Sequence, residues 1–126
     1  MLPGPLKGMK NMPDNCIFCK ILAGKIPAKV VFEDDQVIAI EDIDPQAPTH
    51  LLIFPRKHIR TTLDLEEADN ALVGHIYQVA CRLANEAGVA EEGFRIVNNC
   101  NVAGGQAVWH IHFHLLGGRA MIWPPG

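Results

Sequence analysis

The sequence predicts an α+β fold, a five-stranded, mostly antiparallel sheet with one long helix across it and a short helix near the N-terminus. Three observations carry that prediction. Val108-Trp109-His110-Ile111-His112-Phe113-His114-Leu115-Leu116 alternates histidine with large apolar residues, the period of a strand. Four other apolar or β-branched runs lie between Pro, Gly and Asp turn signals. Only one segment, Asp64 to Gly88, repeats apolar residues at helical spacing over several turns. Strands gathered around a single long helix, instead of alternating with several, define the α+β class.

The elements follow in order. Asp14 or Asn15 caps a short helix over Cys16-Ile17-Phe18-Cys19-Lys20-Ile21-Leu22, which Gly24 stops. Lys29 to Glu33 is a β-branched strand, Asp34-Asp35 a turn, and Gln36 to Asp42 the returning strand of a hairpin. A loop with two prolines, Ile43 to Pro48, leads to Thr49 to Pro55, whose unbroken apolar middle suits a central strand. Asp64 and Glu67 are placed to form a capping box for the long helix, and Gly88 to close it. Its buried stripe is expected to hold Leu65, Leu72, Ile76, Val79, Ala80, Leu83 and Ala87, with His75 at the surface or boundary. Phe94 to Asn98 is the fourth strand, and the histidine strand completes the sheet.

Size and charge narrow the function classes. The 126 residues suit one domain, read as 14–126 behind a flexible 1–13 extension rich in Pro, Gly and Lys. A formal net charge of −3, with no basic stripe or tail, argues against a nucleic-acid or membrane-surface partner. No apolar run reaches the roughly 20 residues of a membrane span, and Met1 to Pro13 lacks the apolar core of a secretory signal. A cytoplasmic location is therefore expected. In that reducing setting Cys16-x-x-Cys19 reads as a metal or redox pair, while Cys81 and Cys100 stand alone.

The chemistry concentrates in the histidine strand. Period two puts His110, His112 and His114 on one face, about 6–7 Å apart, and Trp109, Ile111, Phe113 and Leu115 on the buried other face. An imidazole can serve as metal ligand, general base or nucleophile, and the alternation alone does not choose. Asn99 and Gly104-Gly105-Gln106 immediately upstream offer backbone N–H groups of the kind that hold a phosphate.

His110-Ile111-His112-Phe113-His114-Leu115-Leu116 resembles the signature of the histidine triad (HIT) family of nucleotide hydrolases and transferases. The likeness extends to Ile26-Pro27-Ala28-Lys29, Phe32-Glu33-Asp34-Asp35, Pro45 to His50, Lys57-His58-Ile59, Gly104-Gly105-Gln106, Leu116 to Arg119 and Trp123 to Gly126. The tail is similar to the Hint-like branch, the nucleoside phosphoramidases. That resemblance implies attack by His112 on the α-phosphorus of a purine nucleoside 5′-phosphoramidate, giving a nucleotidyl-histidine that water hydrolyses. His110 and His114 would contact the phosphate and leaving group, backbone amides near Gly105 would stabilise charge, and His50 would buttress the strand. Asp42 would take the ribose hydroxyls, and Ile17, Phe18, Ile21, Ile40 and Ile43 would form the base slot. Asn99, Gln106 and the Ala107 position would flank the phosphate. Trp123 would reach the partner's site across a homodimer. No organic cofactor is implied.

Two features depart from the branch's usual pattern. Ala107 stands where a serine usually follows Gly-Gly-Gln, so a hydroxyl that could protonate a leaving amine is missing. Cys16 and Cys19, as in bacterial members, would join His58 and His110 in a Cys₂His₂ zinc site. Two alternatives stay open: a dinucleoside polyphosphate hydrolase or nucleotidyl transferase using the same histidine, and a non-catalytic nucleotide-binding or interaction module.

Overall fold

The computed structural model describes residues 15–126, so Asp14 and the 1–13 extension lie outside the described residues. Within it, helices α1 (Ile17–Leu22) and α2 (Asn70–Glu86) accompany strands β1 (Val30–Glu33), β2 (Val37–Glu41), β3 (Thr49–Pro55), β4 (Phe94–Val97) and β5 (Phe113–Gly117). The five strands form one antiparallel sheet in the order β1-β2-β3-β5-β4. The α+β class is as the sequence predicts, and β3 is central.

Alternation along β2 and β3 divides the interior between the two faces. Val37, Ala39, Leu51 and Ile53 join Ile76, Val79, Ala80, Leu83 and Ala84 of α2 in the larger core. Ile38, Ile40, Leu52 and Phe54 point the other way and pack with Cys16 and Phe18 of the α1 region. His110 and His112 lie on this second, α1-covered face, against Phe18. Among the described residues no helix is long and apolar enough to cross a membrane.

Local chemistry moves several expected boundaries. The N-cap of α1 is Cys16, whose extended backbone and Sγ, 3.3 Å from the Cys19 N–H, take the role expected of Asp14 or Asn15. The Asp64–Glu67 capping box does not form. Thr61 and Asp64 instead cap a 3-10 turn at Thr62–Asp64, and Glu66 and Asp69 a second at Glu67–Asp69, so α2 begins only at Asn70. Thr61 competes successfully because its backbone N–H reaches the Asp64 carboxylate at 3.1 Å, making Asp64 the third residue of a turn and not its cap. Ala87 is exposed, since the helix has already ended; Ala84 takes its place in the core. Gly88 closes α2 at φ +77, as expected.

The largest departure concerns the histidine segment. Regular pairing starts at Phe113, so His110 and His112 precede β5. Pro55 ends β3, and the Ile111 N–H turns aside to the Ile59 carbonyl at 2.7 Å. The two-sided partition nevertheless survives: Ile111, Phe113 and Leu115 enter the larger core, while His110 and His112 face Phe18. Trp109 breaks it. Instead of joining the core it is half-buried beneath the Arg60 guanidinium, 4.4 Å from the ring centroid.

Candidate active site and metal centre

Backbone groups fix the proton on His110 and His112 directly and on His114 through His50. The fully buried His110 directs Nε2 to the Pro55 carbonyl at 2.7 Å. A carbonyl only accepts, so Nε2 carries the hydrogen and Nδ1 is left with its lone pair. That Nδ1 lies 3.3 Å from Cys16 Sγ, 3.5 Å from Cys19 Sγ and 3.1 Å from His58 Nδ1. Cys19 Sγ is also 3.3 Å from His58 Nδ1, which completes a four-residue group able to hold a metal ion. The Cys16 cap and the helical turn to Cys19 bring both thiols to one side, and the chain leaving β3 supplies His58. Burial and then the neighbouring Cys16 push the Cys19 thiol up to about 12. Burial likewise takes His110 down to about 4, opposed by the Pro55 bond.

His112 is also buried, and its Nδ1 sits 2.8 Å from the His110 carbonyl oxygen. Nδ1 must donate there, which leaves Nε2 as the nitrogen with a free lone pair. The Phe18 ring meets His112 edge-on at 5.0 Å and is itself stacked on Phe54 at 4.2 Å. Burial lowers the His112 pKa, partly offset by the His110 carbonyl and Asp42, so the ring is neutral at pH 7.

His114 receives its tautomer from farther away. The Gln46 N–H donates to His50 Nδ1 at 3.0 Å, so a neutral His50 carries its hydrogen on Nε2. That group meets His114 Nδ1 at 2.9 Å and leaves His114 with its hydrogen on Nε2. Burial holds His114 down to about 4, with His112 and His50 adding and Asp42 opposing. Asp42, immediately past β2, places Oδ2 3.4 Å from His50 Nε2 and uses Oδ1 to accept the Asp44 N–H.

Asp42, His50 and His114 form a second group close enough to hold a metal. Proton placement separates the two. His110 offers a bare nitrogen to the cysteine cluster, whereas the Gln46 amide forces the proton onto the His50 nitrogen that a metal would need. The first group fits a cation and the second a hydrogen-bond relay.

Both ring nitrogens of His110 are engaged, so its contribution to the neighbouring ring is its carbonyl. Phe18, Ile21 and Ile40 gather in the smaller core, while Ile17 is nearly half exposed and Ile43 fully so. Asn99 holds the Gly104 carbonyl at 2.7 Å. Gln106 is buried as a brace: Oε1 accepts from the Asn101 N–H, and Nε2 donates to the Arg60 and Val108 carbonyls. A Cβ at Gly104 would meet the Cys100 carbonyl oxygen at 2.3 Å, which explains a glycine there. Gly105 and Ala107 are exposed on this loop, and Trp123 is exposed on the tail. Sequence reasoning missed Gln46 and Pro55, which act through backbone atoms that no side-chain motif marks. It also missed Asn98, whose Nδ2 holds the His112 carbonyl at 2.9 Å.

Known proteins share this fold and much of its sequence. Residues 23–121 match the HIT domain family. The purine nucleoside phosphoramidase of Escherichia coli is 46% identical over 110 residues, 87% of this chain and 92% of that one. An uncharacterised HIT-like protein of Synechococcus elongatus is 44% identical over 115 residues, 91% of this chain and all of the relative. A HIT family hydrolase from Legionella pneumophila superposes with a TM-score of 0.88 at 57% identity, covering 89% of this chain and 100% of that one. The family match and these relatives make the chain a hydrolase. The chain belongs to the HIT domain family.

Proposed function

We propose that the chain hydrolyses purine nucleoside 5′-monophosphoramidates through a covalent nucleotidyl-histidine on His112. The observation that carries the reading is the 2.8 Å contact from His112 Nδ1 to the His110 carbonyl, which leaves Nε2 as a neutral nucleophile. The E. coli relative, a purine nucleoside phosphoramidase, supports the substrate class.

In this mechanism His112 Nε2 attacks the α-phosphorus, the N–P bond forms and the bond to the leaving amine breaks. The positive charge that develops on the ring is stabilised at Nδ1–H by the His110 carbonyl. His114, with hydrogen on Nε2, donates to the phosphoryl group or departing nitrogen, and solvent supplies the proton that completes the amine. Water then attacks phosphorus and releases the nucleoside monophosphate and His112. Backbone amides near Gly105 face the phosphate alongside Asn99, with Gln106 bracing the loop and Ala107 at its end. Asp42 binds the ribose hydroxyls, and Phe18, Ile17, Ile21, Ile40 and Ile43 border the base. Trp123 completes the partner's site in a homodimer, and the enzyme works in the cytoplasm.

Zinc fits the cysteine–histidine group. Zn–S bonds near 2.3 Å and Zn–N bonds near 2.0–2.1 Å give tetrahedral edges of about 3.4 Å between nitrogens and about 3.6 Å between nitrogen and sulfur. The corresponding distances here are 3.1 Å and 3.3–3.5 Å. Four protein ligands close the coordination shell, so the ion would supply a structural cross-link between Cys16, Cys19, His58 and His110.

Incubation with adenosine 5′-phosphoramidate, followed by acid-free mass spectrometry, tests the proposal. Release of AMP and a nucleotidyl adduct on His112, both lost in His112→Asn, are expected. Faster turnover of a dinucleoside polyphosphate would assign the alternative substrate class. AMP binding with no adduct and no turnover of either substrate would make the chain a binding module.

A further inference from the structure

The metal centre and the nucleophile share parts of the chain. His110 is pinned through both ring nitrogens, one in the cysteine cluster and one on Pro55, while its carbonyl fixes the proton on His112. Phe18 lies between the two cysteines in sequence and stands edge-on to both His110, at 5.8 Å, and His112, at 5.0 Å. The segment carrying these two histidines precedes β5 and has no strand ladder of its own. At its main-chain atoms its ties to the rest of the chain are the Ile111 bond to Ile59 and the Asn98 bond to the His112 carbonyl. Helix α1 has six residues, too few to persist without tertiary anchors.

We propose that Cys16, Cys19, His58 and His110 are positioning residues for the reaction. With a metal ion across them, the 110 carbonyl holds His112 as the Nδ1–H tautomer and Phe18 holds its ring plane. Without the ion, His112 loses its single tautomer and attack on phosphorus slows, while nucleotide binding at Asp42 persists. This inference rests on the assignments of His112 as nucleophile and of zinc to the four-residue group.

The test compares the full chain loaded with zinc, and stripped by chelator, under conditions where its amide spectrum shows it folded. Long-range ¹H–¹⁵N spectra read the His112 tautomer without reference to activity. The loaded chain should show one pattern, Nδ1 protonated and Nε2 bare, and the stripped chain a mixture. Single-turnover transfer from adenosine 5′-phosphoramidate should fall by about 10- to 100-fold, the loss typical when a group orienting a functional residue is removed. AMP affinity should change by less than about threefold. An unchanged tautomer and rate after metal loss would overturn the proposal. A merely structural centre would instead lower the folded fraction and leave both readouts of the folded chain intact, which also overturns it. If stripping unfolds the chain, Cys19→Ser, which weakens the metal site at nearly constant side-chain volume, takes its place at limiting and at saturating zinc: a His112 pattern and single-turnover rate that follow zinc occupancy support the proposal, and values independent of occupancy overturn it. The loaded chain separates the two claims, because a missing His112 adduct there refutes the reaction and leaves the tautomer result standing.

Discussion

His50 Nε2 lies 2.9 Å from His114 Nδ1, and the Gln46 backbone amide behind it determines which of the two nitrogens holds the hydrogen. A main-chain N–H in a proline-flanked loop thereby sets the state of a side chain on a strand two connections away. His50→Ala should let His114 adopt either tautomer. The expected loss is that of a buried hydrogen-bond partner left unpaired, about 1–3 kcal/mol, or roughly fivefold to 160-fold in kcat. Steady-state kinetics checks it: KM for adenosine 5′-phosphoramidate should stay within about threefold, because His50 touches no substrate in this mechanism.

The neutrality of His114 makes stability pH-dependent. Its pKa falls from 6.5 to about 4 on folding, chiefly through burial. Between those values the unfolded chain binds a proton that the folded chain does not. The His114 contribution is therefore complete above pH 6.5 and declines as pH falls toward 4. Urea unfolding of wild type and His114→Gln from pH 8 to pH 4.5 should show the smaller acid-side loss in the variant. Equal losses would mean that His114 is not the group being protonated.

Gln106 gives a sharper distinction between its two substitutions. Its side chain accepts one backbone hydrogen bond and donates two, all inside the protein. Gln106→Ala leaves those backbone groups unpaired, at a cost of about 1–3 kcal/mol. Gln106→Glu keeps the shape but replaces the donating amide with a second acceptor facing the Arg60 and Val108 carbonyls. Its unfolding midpoint in urea at pH 7 should lie below that of Gln106→Ala, and lowering the pH to 4 should narrow the gap.

Much of this was legible because it depends on residue type and period. The alternation from Ile111 to Leu115 correctly assigned Ile111, Phe113 and Leu115 to the core, and the unbroken run at Leu51 to Phe54 correctly made β3 central. What escaped depends on competition between neighbours. Thr61 outbids Glu67 for Asp64, so the long helix starts five residues later than its capping signal suggested. Pro55 cannot donate to a ladder but offers a carbonyl, and His110 takes it, drawing the histidine segment off the sheet. Trp109 obeys the period in sequence but finds Arg60 before it finds the core. Cys16 and His110 are separated by 94 residues, and their meeting was implied only by resemblance.

The His75–Asp34 contact ties the long helix to the β1–β2 hairpin. His75 Nε2 is 2.7 Å from Asp34 Oδ2, while Asp34 Oδ1 accepts the Gln36 and Val37 amides at 2.8 Å each. Burial opposes ionisation of Asp34, yet the His75 bond and the two amides together hold its pKa below the usual value. The two ends of this arrangement should respond differently. His75→Gln removes one partly exposed pair and should cost about 0–1 kcal/mol. Asp34→Ala also unpairs the turn amides, and should cost about 1–3 kcal/mol. Because the folded pKa of Asp34 is depressed, its contribution is present above pH 3.8 and is lost as pH falls through the lower folded value. Urea titrations of wild type and both variants at pH 7 and pH 3 check this: the penalty for Asp34→Ala should shrink at pH 3, and a constant penalty would assign it to packing instead of charge.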